Sequence, residues 1–194
     1  MQVLLRVSYL FKIRKPLSLL NWEGRISIKT NRYNLPTVMN ANVRSINNKI
    51  DDLYSVAAIK NVDIACLTET WLKEEVPNEL IHIPDFNIFS NDRAHKRGGG
   101  VAIYVKDSIP VSLWPDLLHP DFETLWLTLR PLKMPRMFSH VSIGVVYHPP
   151  GANNWELSKH LAHCMDTILQ KHPSTGLLLM GDMNHFKGRS IKSS

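Results

Sequence analysis

Six short apolar runs constrain this chain more than any other feature. Thr37–Val43, Asp63–Glu69, Gly99–Val105, Phe122–Leu129, Val141–Tyr147 and Leu177–Met180 are strand-length, mostly β-branched or aromatic, and bounded by turn residues. Two stretches of helical period lie among them. Asn47–Lys60 sets Ile50, Leu53, Tyr54 and Ala57 at spacings of three and four. Trp155–Lys171 puts Leu157, Leu161, Cys164, Met165, Ile168 and Leu169 on one stripe, and Pro173 stops it. The order β-α-β, then several strands, then α-β predicts an α/β domain with a mixed sheet and its helices on one face. The stretch holding Pro77 and Pro84 reads as loop. With 194 residues the chain has the length for one such domain.

The flanks differ from this pattern. Residues 1–35 show no clean period and read as a basic flanking arm. Residues 36–186 read as the domain, and 187–194 as a polar tail expected to be disordered. The net charge of +6 suggests a nucleic-acid partner, but residues 1–50 alone carry nine Lys/Arg against one acid, Glu23. That segment is +8, so the remaining 144 residues carry −2, and the basic excess belongs to the arm. The arm could contact phosphates without sequence preference. Val3–Phe11 is broken by Arg6 and followed, not preceded, by positive charge, which is the wrong order for a secretory signal. No run approaches the roughly 18 apolar residues of a membrane span. Cys66 and Cys164 both sit in apolar periodic segments and read as small buried hydrophobes in a reducing compartment. The expectation is an intracellular protein of nucleus or cytoplasm, not secreted and with no membrane partner.

Candidate chemistry gathers at strand ends. Gly181-Asp182-Met183-Asn184 follows the last run, and if extended geometry persists Asp182 and Asn184 project to the same side. Such a pair could hold a water and a phosphate oxygen; Gly, Asp and Asn are also ordinary turn residues. Glu69 closes the second run, where a carboxylate could meet a hard cation or begin a solvated loop. Asn42 closes the first run, as a site residue or a helix cap. Tyr147 closes another, before His148-Pro149-Pro150, as a phosphate donor or an edge aromatic. The Gly98–Gly100 run lacks the Lys-Ser/Thr of a phosphate loop and reads as a turn entering a strand. His160 and His163 read as a solvated helix face. Trp71, Trp114, Trp126 and Trp155 read as packing residues.

Taken in order, Asn42-Val43-Arg44-Ser45 with Lys49, Thr68-Glu69-Thr70-Trp71-Leu72, Asp92-Arg93 with Gly98-Gly99-Gly100-Val101-Ala102-Ile103-Tyr104-Val105, Val146-Tyr147-His148-Pro149-Pro150 and Gly181-Asp182-Met183-Asn184 resemble the endonuclease domain of LINE-type (non-LTR) retrotransposons. That domain belongs to the endonuclease/exonuclease/phosphatase superfamily, with deoxyribonuclease I. The resemblance covers about residues 36–186. It implies the first part of a four-layer α/β/β/α sandwich, with the second sheet incomplete. It also implies Mg²⁺ or Mn²⁺ as cofactor, DNA as partner, and a reverse transcriptase on the same chain in full-length relatives. By position, Glu69 matches the metal-binding glutamate and Asn42 the asparagine supporting metal and phosphate. Tyr147 matches the tyrosine on the scissile phosphate, and Asp182 with Asn184 the pair orienting the attacking water. Arg44 and His148 are the implied nucleic-acid contacts.

The sequence departs from that pattern in three places. His148 stands where such elements often carry Arg, and Met183 where Phe is usual. The family's further aspartate and its C-terminal Asp-His pair have no match, and His185, adjacent to Asn184, would point away in an extended strand. The expectation is a DNA-endonuclease-like phosphodiester hydrolase with weak or no turnover, or a non-catalytic remnant that binds nucleic acid or protein weakly. Superfamily relatives acting on lipid or sugar phosphates fit the Asn-Val-Arg-Ser and Gly-rich motifs less well. An incomplete second sheet would expose an apolar face able to self-associate.

Overall fold

The computed structural model describes residues 3–5, 36–73, 76–93, 98–132 and 134–184. The basic arm beyond Val3–Leu5, the polar tail and His185 therefore lie outside the described residues. Eleven regular elements carry the fold: strands β1 (Val3–Leu5) and β2 (Val38–Asn42), helix α1 (Ile50–Ile59), strands β3 (Ile64–Thr68), β4 (Phe86–Asn91), β5 (Val101–Lys106), β6 (Val111–Leu113), β7 (Glu123–Leu129) and β8 (His140–Tyr147), helix α2 (Asn154–Lys171), and strand β9 (Thr175–Asp182). They form two sheets, β1-β2-β3-β5-β4 and β6-β7-β8-β9. Each is mixed, with one parallel pair: β2 with β3, and β8 with β9.

The layering corrects one expectation. The helices do not share one face of one sheet; each covers the outer face of its own. Leu53 and Ala57 of α1 pack on Met39, Ala41, Ala65, Leu67 and Tyr104 of the first sheet. Leu157, Leu161, Cys164, Met165 and Ile168 of α2 pack on Trp126, Val146 and Leu177 of the second. Period-two alternation sends the opposite side chains inward, where Cys66, Ile103 and Val105 meet Leu125, Leu127, Ile143, Val145 and Met180. The result is the four-layer α/β/β/α sandwich. The inner face of the second sheet is thus covered rather than exposed; among the described residues β9 is its edge, paired with β8 alone.

Three strands escaped the sequence reading, the first being β1, inside the segment read as a flanking arm without a period. β4 lies in the supposed loop, its period-two burial of Phe86 and Ile88 hidden behind Pro77 and Pro84. β6 has three residues, too few to show a period. α2 begins as its sequence suggests: Asn153 Oδ1 accepts from the Trp155 and Glu156 amides at 3.0 and 3.4 Å. No helix among the described residues is long and apolar enough to cross a membrane.

Candidate active site

Parallel pairing of β2 with β3 brings Asn42 opposite Thr68, so Asn42 and Glu69 leave neighbouring strands at the same end. Parallel pairing of β8 with β9 does the same for Tyr147 and Asp182. The two sheets face each other, and these four groups meet across the gap. Asn42 Nδ2 donates to Asp182 Oδ2 at 2.8 Å, and the Tyr147 hydroxyl donates to Glu69 Oε1 at 2.5 Å. Each rung joins one sheet to the other.

The backbone here is unusual. Arg44, Ser45, Glu69, Trp71 and Asn184 all have positive φ, at 44°, 78°, 56°, 55° and 26°. Non-glycine residues in this region cost about 1–3 kcal/mol each and persist where surroundings fix them. Here the ladder continues past the strand ends: Val43, Ser45 and Ile46 amides donate to Thr68, Glu69 and Thr70 carbonyls at 2.8–2.9 Å. Lys49 Nζ caps the same loop by donating to the carbonyls of Val43 and Arg44.

Asp182 and Asn184 are close, but not by the extended geometry expected. β9 ends at Asp182, and the chain turns. The Asn184 amide donates to Asp182 Oδ1 at 3.2 Å, and Asn184 Nδ2 donates to the His148 carbonyl at 3.0 Å. The tetrapeptide is therefore a turn, and that turn sets Asp182 between Asn42 and the Asn184 amide. His148 is buried, with Nε2 2.7 Å from Asn154 Oδ1 at the start of α2. Arg44 is exposed on the loop after β2.

Trp71, read from sequence as a packing residue, and Glu123 and Arg93, given no role there, also contact this cluster. The Trp71 indole, 37% exposed, donates to Glu69 Oε2 at 2.8 Å, so this tryptophan serves the site more than the core. Glu123, opposite Tyr147 in the β7–β8 register, pairs with Arg93 and accepts from the Gly100 amide. Burial, then the Glu69 hydrogen bond and the charges of Glu69 and Glu123, push the Tyr147 phenol up, and Arg93 pulls it back partly. Tyr147 is therefore a neutral hydrogen-bond donor. Trp114 and Trp126 are buried as expected, but Trp155 is 65% exposed beneath Lys159.

The donor set suits a hard cation. Glu69 offers a carboxylate, and Asn42 Oδ1 is a buried oxygen with no hydrogen-bond partner. Among the described residues no group of three or more His, Cys, Asp or Glu stands ready for a metal. Mg²⁺ is held through one or two carboxylates and keeps its waters, so a small all-oxygen set fits it where zinc would need more ligands.

Cys164 Sγ lies 3.5 Å from His160 Nε2, but burial drives the thiol up to about 11 and the imidazole down to about 4. Both are held in their neutral forms near pH 7, so the pair presents no thiolate. A cavity of about 480 Å³, lined by Val111, Trp114, Thr128, Arg130 and Lys171, lies at the opposite end of the sandwich. The convergent polar groups, not the concavity, mark the site.

Residues 39–190 match the family described as Endonuclease/Exonuclease/phosphatase. Among solved structures the chain is similar to the endonuclease domain of TRAS1, a telomere-specific non-LTR retrotransposon, at 18% identity over 75% of this chain and 58% of that one, with TM-score 0.55. It is similar to a humanized D. rerio TDP2 at 16% identity over 76% and 65%, with TM-score 0.53. It is similar to the 3′ phosphatase NExo from Neisseria bound to product DNA hairpin at 18% identity over 76% and 57%, with TM-score 0.50. At these identities the likeness is one of fold. The chain spans 57–65% of the length of these structures. No curated protein matches it in sequence.

Proposed function

The chain belongs to the endonuclease/exonuclease/phosphatase family, and from that premise we propose that its strand-end cluster is a Mg²⁺-dependent site for DNA phosphodiesters, of retrotransposon-endonuclease type. The observation that carries the proposal is the pair of cross-sheet rungs, Asn42 to Asp182 and Tyr147 to Glu69. Family members generally depend on a divalent metal, which when bound neutralises developing charge on the phosphoryl oxygens.

The residues divide the remaining work. Glu69 and Asn42 Oδ1 hold the cation. Tyr147, kept neutral, gives its one hydroxyl proton to Glu69 in the free chain; with a phosphodiester bound, that proton would pass to a non-bridging phosphate oxygen and release Glu69 Oε1 to the cation. Asp182 accepts a hydrogen bond from the attacking water and is itself fixed by Asn42 Nδ2 and the Asn184 amide. Asn184 holds the β8 exit through the His148 carbonyl. His148 Nε2 lies against Asn154 Oδ1 at the start of α2.

Plasmid nicking with Mg²⁺ against EDTA tests the proposal. Slow nicking, lost with EDTA and with Glu69→Ala, is the expected result. Nicking by the purified chain that survives Glu69→Ala would sink the site assignment. A complete absence of nicking together with metal-dependent DNA binding would favour the second reading, a binding remnant.

A further inference from the structure

The Gly98–Gly100 run does more than turn the chain into β5. The Gly99 and Gly100 carbonyls accept from the Trp71 and Thr70 amides at 2.9 and 3.3 Å, clipping the run to the corner that carries Glu69. All three glycines have φ near +80°, which only glycine adopts at little cost. A Cβ at Gly99 would collide with Glu123 Oε2, and one at Gly100 would stand 2.6 Å from Thr70 Oγ1.

Glu123 closes the other side of this run. Its Oε2 accepts from the Gly100 amide, and its Oε1 pairs with Arg93 Nη2. Only 12% of its side chain is exposed. Burial pushes its carboxyl up, while the Gly100 amide and then Arg93 pull it down. A carboxylate buried against that cost needs its partners, and Arg93 and Gly100 both sit on the segments framing Glu69. From Gly99 the connection runs through the Trp71 amide to the Trp71 indole, which donates to Glu69 Oε2.

We infer that Glu123, through Arg93 and the Gly98–Gly100 run, is a positioning residue for the Glu69 carboxylate. The inference rests on the reading of Glu69 as the cation ligand. Glu69 has one oxygen fixed by Tyr147 and the other by Trp71, so its remaining lone pairs point in one direction only while the corner is held. Without the Glu123 acceptor the Gly100 amide is released, the left-handed conformations of Glu69 and Trp71 lose their support, and the carboxylate samples several orientations.

Mn²⁺ binding to the metal-stripped 194-residue chain, followed by the EPR signal of the free ion, tests this independently of turnover. Glu123→Gln removes both charge and acceptor strength; Glu123→Asp keeps the charge but falls one methylene short of Gly100. Both are expected to weaken Mn²⁺ binding by about 10–100-fold, the usual effect of losing an outer-shell partner. Parental affinity in Glu123→Asp would show that Glu123 acts only as a charge, and would overturn the positioning role. Where the Glu123 variants do not fold, Trp71→Phe interrupts the same connection on an exposed ring; parental affinity there overturns it equally. Glu69→Ala separates the two claims. If it abolishes binding while the Glu123 and Trp71 variants bind as the parent does, only the positioning inference fails. If Glu69→Ala itself binds Mn²⁺ normally, the reading of the site fails first.

Discussion

At the Thr128 end of the second sheet, the Trp114 indole donates to Thr128 Oγ1 at 2.6 Å. Thr128 meets Ser142 at 3.1 Å, Ser142 meets Thr175 at 3.0 Å, and Thr175 reaches the His140 carbonyl at 3.3 Å. Every hydroxyl in that ladder has a partner, and no member is charged. Toward the opposite end, where β2 and β3 finish, Asn40, Asn42, Thr68 and Thr70 each keep a buried oxygen without a hydrogen-bond partner. Five non-glycine residues there or nearby have positive φ. Both ends are polar and largely buried, yet one is closed and the other is held open. A buried polar atom without a partner costs free energy, so this cluster is the costlier of the two ends and the one that water or a ligand would satisfy. The closed ladder is satisfied within itself, and the open end is where the proposed site would take its ligand.

The same substitution at the two ends should break or sharpen this contrast. Thr128→Val leaves the Trp114 indole and the Ser142 hydroxyl short of a buried partner. It should cost about 1–3 kcal/mol of stability, measured as a drop in the urea midpoint at unchanged slope. Thr70→Val replaces a fully buried hydroxyl that has no partner with a methyl group of similar size. It should be neutral or stabilise by up to about 1 kcal/mol. A loss at Thr70 as large as at Thr128 would mean the hydroxyl is satisfied in solution, and the contrast between the ends would fall.

The contrast also explains what the sequence could and could not disclose. Strand ends were legible because short apolar runs stop within two residues of Asn42, Glu69, Tyr147 and Asp182, and polar residues at such stops are visible without a fold. Both helices were legible for the same local reason, α2 within one residue at its start. The division into two sheets was not, since which strands pair is not a property of any one run. Glu123 is the first residue of β7 and looks like an ordinary strand edge until its register places it opposite Tyr147. Arg93 and the glycines were visible as a motif, but their bonds to Glu123 and to the Glu69 corner are long-range. His160 was read as solvated, yet it is half-buried, stacked on Phe122 at 4.7 Å and 3.0 Å from Thr124 Oγ1.

That histidine supplies the smallest of the expected effects, and it acts against one from the site. Burial, then the charges of His119 and His163, lowers His160 from its ordinary 6.5 to about 4 in the folded chain. The unfolded chain therefore binds the extra proton first as the pH falls. Stability from this group is complete above about pH 6.5, is lost progressively toward pH 4, and levels off below. Glu123 runs the other way: its carboxyl is raised in the folded chain, so protonation there favours folding as acid is added. The two shifts partly cancel, and screening of a half-exposed ring trims the histidine effect further, to roughly 0.5–1 kcal/mol. Urea midpoints for the parent and His160→Gln at pH 7.5, 5.5 and 4.5 separate them. The parent should lose more stability than the variant between pH 6.5 and 4.5, with the difference closing above pH 7. Parallel pH profiles would place the His160 ring in solvent and return it to the exposed face that its helical spacing suggested.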